Sequence, residues 1–227
     1  MKKLILLLFI SLISFSSFGQ TPITDLNIRK AVETCLFTNP VDGMCSDSEY
    51  GAMPNWDVSN VSDMSYLFSR SKFNYHIGDW DVSNVTNMVG MFSNSAFNHP
   101  IGDWDVSNVN RMGQMFVSSD FNQPIGDWDV GNVISMWGMF DNSSFNQPIG
   151  DWDVSKVTEM RLMFQDSPFN QPIGDWDVSK VTDMGLMFEN SPFNQPIGDW
   201  DVSNVKYMSG MFSNTPFNQP IGCLLYT

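Results

Sequence analysis

The chain has 227 residues, with 11 basic and 25 acidic side chains and a formal net charge of −14. This balance argues against nucleic-acid binding, because phosphates demand clustered lysine and arginine, and against simple electrostatic adhesion to anionic lipid. Cations, basic protein surfaces and neutral glycans remain as classes of partner.

Residues 1–19 predict a secretory signal peptide. The stretch MKKLILLLFISLISFSSFG has a basic start, an apolar run from Leu4 to Ile13, and small residues, Ser17 and Gly19, before a cleavage site at Gln20. The apolar run is short for a bilayer span, and no later segment approaches transmembrane length. We therefore expect a protein that is secreted or held at the cell surface after Sec-type export.

Residues 20–55 differ in composition from the rest and predict an N-terminal helical cap. In TPITDLNIRKAVETCLF, Thr24 and Asp25 suit a helix start, and apolar side chains follow at helical spacing. Because the ends of a repeat array leave the core open, a cap of this kind is expected. Cys35 and Cys45 lie close together in an exported chain, so we expect a disulfide between them.

The remainder of the chain is a repeat. Tryptophan recurs every 24 residues, so that seven units tile residues 56–223 without an insertion, at Trp56, Trp80, Trp104, Trp128, Trp152, Trp176 and Trp200. A fixed period of this length is typical of a solenoid whose units stack with equivalent positions aligned.

Two periodicities alternate within a unit. Trp80 and Val82 share one face of an extended segment, which predicts a short strand, and the apolar residues of SNVTNMVGMF follow helical spacing. We therefore predict an α/β fold, a leucine-rich-repeat-like solenoid with one short parallel strand and one short helix per 24-residue coil. The asparagine of each FNQP stretch is expected to form a ladder, and the tryptophans a stacked core.

The array breaks off after Gly222. Cys223 occupies the place of the next aspartate, and residues 224–227 are irregular. Either the chain is a truncated copy of a longer array, or two chains associate end to end and hide the open core.

Residues 56–222 carry a specific resemblance. The stretches WDVSNVTNM and FNQPIGD, with the MF pair between them, resemble the BspA-like leucine-rich-repeat surface proteins, and in particular the repeat of mycoplasma surface lipoproteins. The segment ITDLNIRKAVE followed by YGAMPNWDVSNVSDM is similar to the family's entry into its first repeat. The resemblance implies an exported, surface-associated bacterial protein that binds other molecules. It brings no catalytic motif.

The Asp-Trp-Asp triplets are the first candidate site, since they would form two acidic columns. Three interpretations stay open: aspartates that bond nearby backbone, calcium ligands, or a ligand surface. Catalysis by carboxylate pairs is disfavoured, because the same pair recurs identically whereas an active site needs one distinctive place. The candidate calcium ligands are Asp103, Asp105, Asp127, Asp129, Asp151, Asp153, Asp175 and Asp177.

The second candidate is the set of positions that vary between units, which the predicted fold places on a helical outer face. Trp137 is the only tryptophan of the repeats that does not follow the 24-residue period, and exposed aromatic side chains are typical binding anchors. Neutral drift on a solvated surface is the other interpretation. The candidate ligand-binding residues are Tyr66, Gln114, Trp137, Arg161 and Tyr207.

The sequence thus predicts a non-catalytic cell-surface binding or adhesion solenoid that recognises an extracellular protein or glycan, with no cofactor unless calcium. The alternative is a structural or calcium-stabilised surface-layer element. Calcium titration would separate the two, because a metal that binds only the folded state raises its melting temperature.

Overall fold

A computed structural model describes residues 20–222; the predicted signal peptide and the segment from Cys223 to Thr227 lie outside these residues. An α-helix, α1, spans Ile28–Thr38, and a 3-10 helix spans Met53–Asn55. Neither helix of the described region is long and apolar enough to cross a membrane. The repeats follow, and we number them 1 to 7 from their tryptophans, so that repeat 1 is 56–79 and repeat 7 begins at 200.

The repeats stack in chain order and are joined by one parallel ladder. Residues 24 positions apart form isolated parallel bridges, and each bridge lies seven residues after the repeat's tryptophan. Neighbouring backbones in such a ladder lie about 4.8 Å apart. The bridged residues are Asp63, Asn87, Arg111, Ser135, Glu159, Asp183 and Tyr207.

The short helix predicted in each repeat is not present in the described repeats. In repeat 4 the N–H of Met136 donates to Glu159 of repeat 5 at 3.0 Å, and that of Gly138 to Arg161 at 2.9 Å. The N–H of Met139, the residue after Gly138, closes a local turn on the carbonyl oxygen of Met136 at 3.1 Å. Because these donors are satisfied by the next repeat and by turns, no helical bonding remains for them. Consecutive turns reproduce the apolar spacing of a helix.

The strand predicted at each WDV is also misplaced, since the bridges lie further along the unit. The WDV stretch has another role. Trp152 is buried and its indole Nε1 donates to the carbonyl oxygen of Ile125, which lies 27 residues earlier at the end of repeat 3, at 3.1 Å. The same bond recurs at every repeat tryptophan from Trp80 to Trp200. A large apolar ring is thereby buried with its one polar atom satisfied.

Phenylalanine, rather than tryptophan, forms the continuous aromatic stack of the core. Phe140 and Phe164 stack with ring centroids 5.7 Å apart, and a second column has Phe145 and Phe169 6.4 Å apart. The two columns meet within each repeat, where Phe164 and Phe169 are 3.9 Å apart. Each interior ring therefore contacts aromatic neighbours in its own repeat and in both adjoining ones.

An asparagine ladder runs along the turn that follows the core. The side-chain oxygen of Asn146 accepts the backbone N–H of Asn170 at 3.0 Å, and Gln171 donates to the same oxygen at 3.0 Å. The pattern repeats from Asn74 to Asn218. The ladder predicted from the sequence is present, although its rungs are half-buried or exposed at the surface rather than internal.

Replacing one rung should weaken a single junction. Asn146→Ala removes the acceptor of the Asn170 N–H and of Gln171, and we expect the free energy of unfolding to fall by about 1 kcal/mol. Urea unfolding measures this change. Asn218→Ala is the matched control, because in the described residues no later rung donates to Asn218; an equal loss in both variants would contradict the ladder's role.

The cap covers the first repeat. α1 begins at Ile28 rather than at Thr24, because Thr24 donates its N–H to the side chain of Asn27 at 2.8 Å in a turn before the helix. Its buried face, which includes Ile28, Val32 and Cys35, packs into the core. Cys35 is joined to Cys45 by a disulfide, the pair expected from the sequence.

Two side chains of the cap stand in for the backbone of a preceding repeat. Asp25 accepts the N–H groups of Ser62 and Asp63 at 2.8 and 3.0 Å, and Arg29 donates to the carbonyl oxygen of Ser65. Burial alone would raise the pKa of Asp25, but its hydrogen bonds with Ser62 and Asp63 outweigh it, so the pKa is lowered. The cap thus closes one edge of the ladder with a carboxylate and a guanidinium.

Candidate functional site

The positions that vary between repeats lie along the parallel ladder, not on a helical face. The bridged residues form a first column, and a second column lies two residues later in each repeat: Ser65, Val89, Gly113, Trp137, Arg161, Gly185 and Ser209. We call these two columns the variable face. Their non-glycine residues are half-buried or exposed, whereas the methionine between the columns is buried in repeats 1 to 6 and half-buried in repeat 7. Alternation along an extended backbone produces this division.

A neighbouring column has left-handed backbone in every repeat. It contains Tyr66, Gln114 and Leu186, with φ of 56°, 58° and 60°. In the repeat after each of these residues the same position is glycine, and the larger side chain lies over it. A Cβ built on Gly90 would meet the ring of Tyr66 at 2.3 Å, and one on Gly210 would meet Leu186 at 2.6 Å. The residues of this column thus interlock between repeats.

The structure brings the five predicted ligand-binding residues together only in part. Tyr66 is 51 % exposed and lies in repeat 1, whereas the other four residues lie in repeats 3 to 7. Gln114 and Trp137 are joined through backbone, with the Gln114 N–H donating to the Trp137 carbonyl at 2.7 Å, and Trp137 is half-buried beside Gly113. Arg161 and Tyr207 share one cleft.

This cleft opens where Gly185 interrupts the second column. Its volume is about 370 Å³, and its lining consists of Arg161, Asp183, Gly185, Leu186, Tyr207 and Ser209. Tyr207 is 65 % exposed. The cleft therefore combines a cation, a carboxylate, a hydroxyl group and an accessible aromatic ring on one face of three successive repeats.

The charged groups of the cleft are not paired with one another. Asp183 accepts the N–H of Gly185 at 2.8 Å. Glu159, the bridge partner of Asp183 just outside the lining, accepts the hydroxyl of Ser135 at 3.0 Å. Within the described part of the chain, the ion pairs are those of Arg29 with Asp63 and of His76 with Asp79, and Arg161 takes part in neither. Its guanidinium is therefore available to a ligand.

The second aspartate of each triplet is a structural residue of the turn. The carboxylate of Asp153 accepts the N–H of Ser155 at 3.0 Å, and equivalent bonds occur throughout the repeats. Hydrogen bonds from the serine two positions later lower the pKa of Asp105, Asp153 and Asp177. Of the three interpretations of these aspartates, the geometry favours the backbone-bonding one.

The structure does not assemble the predicted calcium ligands. Among residues 20–222, no group of three or more acidic, histidine or cysteine side chains could hold a metal ion. All eight candidates are exposed, including the first aspartates of the triplets, Asp103, Asp127, Asp151 and Asp175. Neighbouring repeats set these carboxylates in rows, whereas calcium needs six to eight oxygens converging on one point.

Asp141 is a perturbed group that the sequence pattern did not single out. Desolvation, followed by the charge of Asp166 in the next repeat, raises the pKa of Asp141 to about 6. Equivalent positions hold Ser93, Val117 and Gln165, and repeat 6 has a second acid there, Glu189. Only alignment of the repeats by column could have drawn attention to these acids. A carboxylate held away from water beside another acid disfavours its own ionised form.

Asp141→Asn should therefore stabilise the protein at neutral pH. The raised pKa means that stability contributed by protonated Asp141 is complete below about pH 3.8 and is lost as the pH rises through about 6. Allowing for solvent screening of a half-exposed group, we expect a gain of about 1 kcal/mol at pH 7.5 and none at pH 3.5. Thermal unfolding across this range tests it, with Asp120→Asn as the exposed control. A gain independent of pH would contradict the assignment.

Comparison with known proteins identifies the family. The family model described as "Mycoplasma protein of unknown function, DUF285" matches residues 41–149 and again 138–224. The chain belongs to this family. The two overlapping DUF285 matches agree with an array of repeats, and together they begin within the cap and run through the stack. No curated protein and no solved structure matches the chain.

Proposed function

We propose that this DUF285 protein is an exported, non-catalytic solenoid of the BspA-like kind, which binds an extracellular protein or glycan at the cell surface. The observation that carries the proposal is the position of the variation. Residues that recur in every repeat fill the core or bond the turns, whereas the variable residues line one accessible ladder. A scaffold that keeps its interior constant and varies one face is suited to recognition.

Several features support binding rather than catalysis. The acidic pairs recur in the repeats without a distinctive place for chemistry. The variable face has Trp137 and Tyr207, which are aromatic, and Arg161, and these residue types are enriched at binding hot spots. The signal peptide predicted at residues 1–19 supports export.

Binding by the mature chain to arrays of extracellular proteins and glycans tests the proposal. We expect saturable binding that an Arg161→Ala, Tyr207→Ala double variant weakens at least tenfold. The control is Asp127→Asn with Asp151→Asn, two exposed residues outside the variable face. Binding by neither array would contradict the proposal, and loss only in the control would move the binding surface to the aspartate column.

A further inference from the structure

The cleft at Gly185 has the form of a small, shallow binding site. A Cβ at this glycine would lie 3.9 Å from Cγ of Arg161 and 3.8 Å from the carbonyl oxygen of Ser209. Because glycine has no side chain, the space between these two residues is open. Asp183 and Tyr207 are bridge partners, which places their side chains next to each other on the same face. The aromatic ring therefore stands beside a carboxylate, with the arginine stem across the gap.

The polar side chains in and beside the cleft supply both hydrogen-bond donors and hydrogen-bond acceptors. Arg161 has only N–H donors, and no carboxylate of the described residues lies within ion-pair distance of it. Asp183 in the lining and Glu159, its bridge partner beside the cleft, offer acceptors. Each uses one oxygen in the structure's hydrogen bonds, so its second oxygen is available. Ser209 is exposed and can both donate and accept.

We propose that this cleft binds a neutral sugar unit, an inference that rests on the proposed binding function. Adjacent hydroxyl groups of a sugar donate and accept at once, which matches the N–H donors of Arg161 and the carboxylate oxygens of Asp183 in one cleft. The C–H face of a sugar ring is apolar and packs on an exposed aromatic ring such as that of Tyr207. Asp183 lines the cleft and Glu159, its bridge partner, lies next to it. Two carboxylates therefore stand near the single Arg161 charge, and the local potential disfavours anionic sugars.

Titration of the mature chain with matched oligosaccharides tests the inference. The probes end in glucose, galactose, mannose or N-acetylglucosamine, and the glucose and galactose probes are paired with versions that end in the corresponding uronic acid. We expect at least one neutral probe to bind and to shift the backbone NMR signals of repeats 5 to 7, and each uronic acid to bind at least fivefold more weakly than its neutral counterpart. Absence of binding by every neutral probe overturns the inference, and so does a preference for the uronic acids.

Two variants place the site. Tyr207→Ala should weaken binding of the neutral probe about five- to tenfold, whereas Tyr75→Ala, at an exposed tyrosine of repeat 1 outside the variable face, should leave it unchanged. Gly185→Val should abolish binding by filling the cleft, and Val89 occupies the equivalent position in repeat 2, so the backbone accepts it. Equal effects of the two tyrosine variants would overturn the assignment.

The same variants separate this inference from the proposed function. The chain could bind an array protein, with Tyr207→Ala leaving that binding intact, while no neutral sugar binds. In that case the proposed binding function is supported and the inference of a sugar site is wrong. If the array binding is lost with Gly185→Val but only peptides compete for it, the occupant of the cleft is a protein side chain and the sugar inference is wrong.

Discussion

Phe164→Ala should lower the free energy of unfolding by about 3–5 kcal/mol, the range for removing a buried aromatic side chain. Phe164 is fully buried in repeat 5 and stacks on Phe140 and Phe188, each with its centroid 5.7 Å away, and on Phe169 at 3.9 Å. Because its neighbours are held by the ladder on both sides, the cavity cannot collapse easily. Urea denaturation monitored by circular dichroism measures the change.

Phe212→Ala is the matched control, since Phe212 holds the same position in repeat 7. It contacts Phe188 at 5.8 Å and Phe217 at 4.1 Å, and it is only half-buried in the described structure. With less apolar surface withdrawn from water, its loss should be roughly half as large. Equal losses for Phe164 and Phe212 would show that the stacked column does not determine stability in the way described.

Gly150→Ala should also destabilise the protein, by about 2–3 kcal/mol. A Cβ on Gly150 would lie 2.9 Å from the backbone carbonyl oxygen of Pro172 in the next repeat, and a backbone atom cannot rotate aside as a side chain can. The alanine gains only about 0.4–1 kcal/mol by restricting the unfolded chain, so strain dominates. The same close approach recurs at Gly78, Gly102, Gly126, Gly174 and Gly198, which explains the glycine of every IGD.

Gly131→Ser provides the contrast. Gly131 replaces the serine of the other repeats, and a Cβ there would meet only the side-chain oxygens of Asp129 and Asp153, at 3.2 and 3.3 Å. These carboxylates are exposed and can shift, so we expect a change within about 0.5 kcal/mol. Calorimetric melting of the two variants distinguishes a specific close contact from a general intolerance of side chains at glycine.

The sequence predicts the stacking direction and the core but not the path of the backbone within a repeat. The 24-residue period determines which residues of different repeats are in contact, because Trp152 can reach Ile125 only if the units align. Apolar spacing reports burial alone, and the turns around Met136 and Met139 bury the same side chains as a helix would. Hydrogen bonds between repeats decide between these paths, and periodicity does not encode them.

The candidate site, too, could be predicted from the sequence only in part. Trp137 and Arg161 could be selected from the sequence because they depart from the repeated pattern at solvent-accessible positions. The cleft could not, since it depends on an absent side chain at Gly185 between residues of neighbouring repeats. The acid at Asp141 was missed for a related reason: its perturbation comes from burial and from Asp166 in another repeat, which become visible only in three dimensions.

The backbone bonds of the stack have a direction. From Met136, Gly138 and Phe140 the N–H groups all point to the following repeat, so this part of each junction has donors on one side and acceptors on the other. A duplicated 24-residue unit, inserted between any two repeats, would restore every such bond, whereas an insertion of another length would shift the alignment of all side chains beyond it. Copying within the gene can therefore lengthen the variable face without redesigning the core, and each new unit supplies further positions for variation.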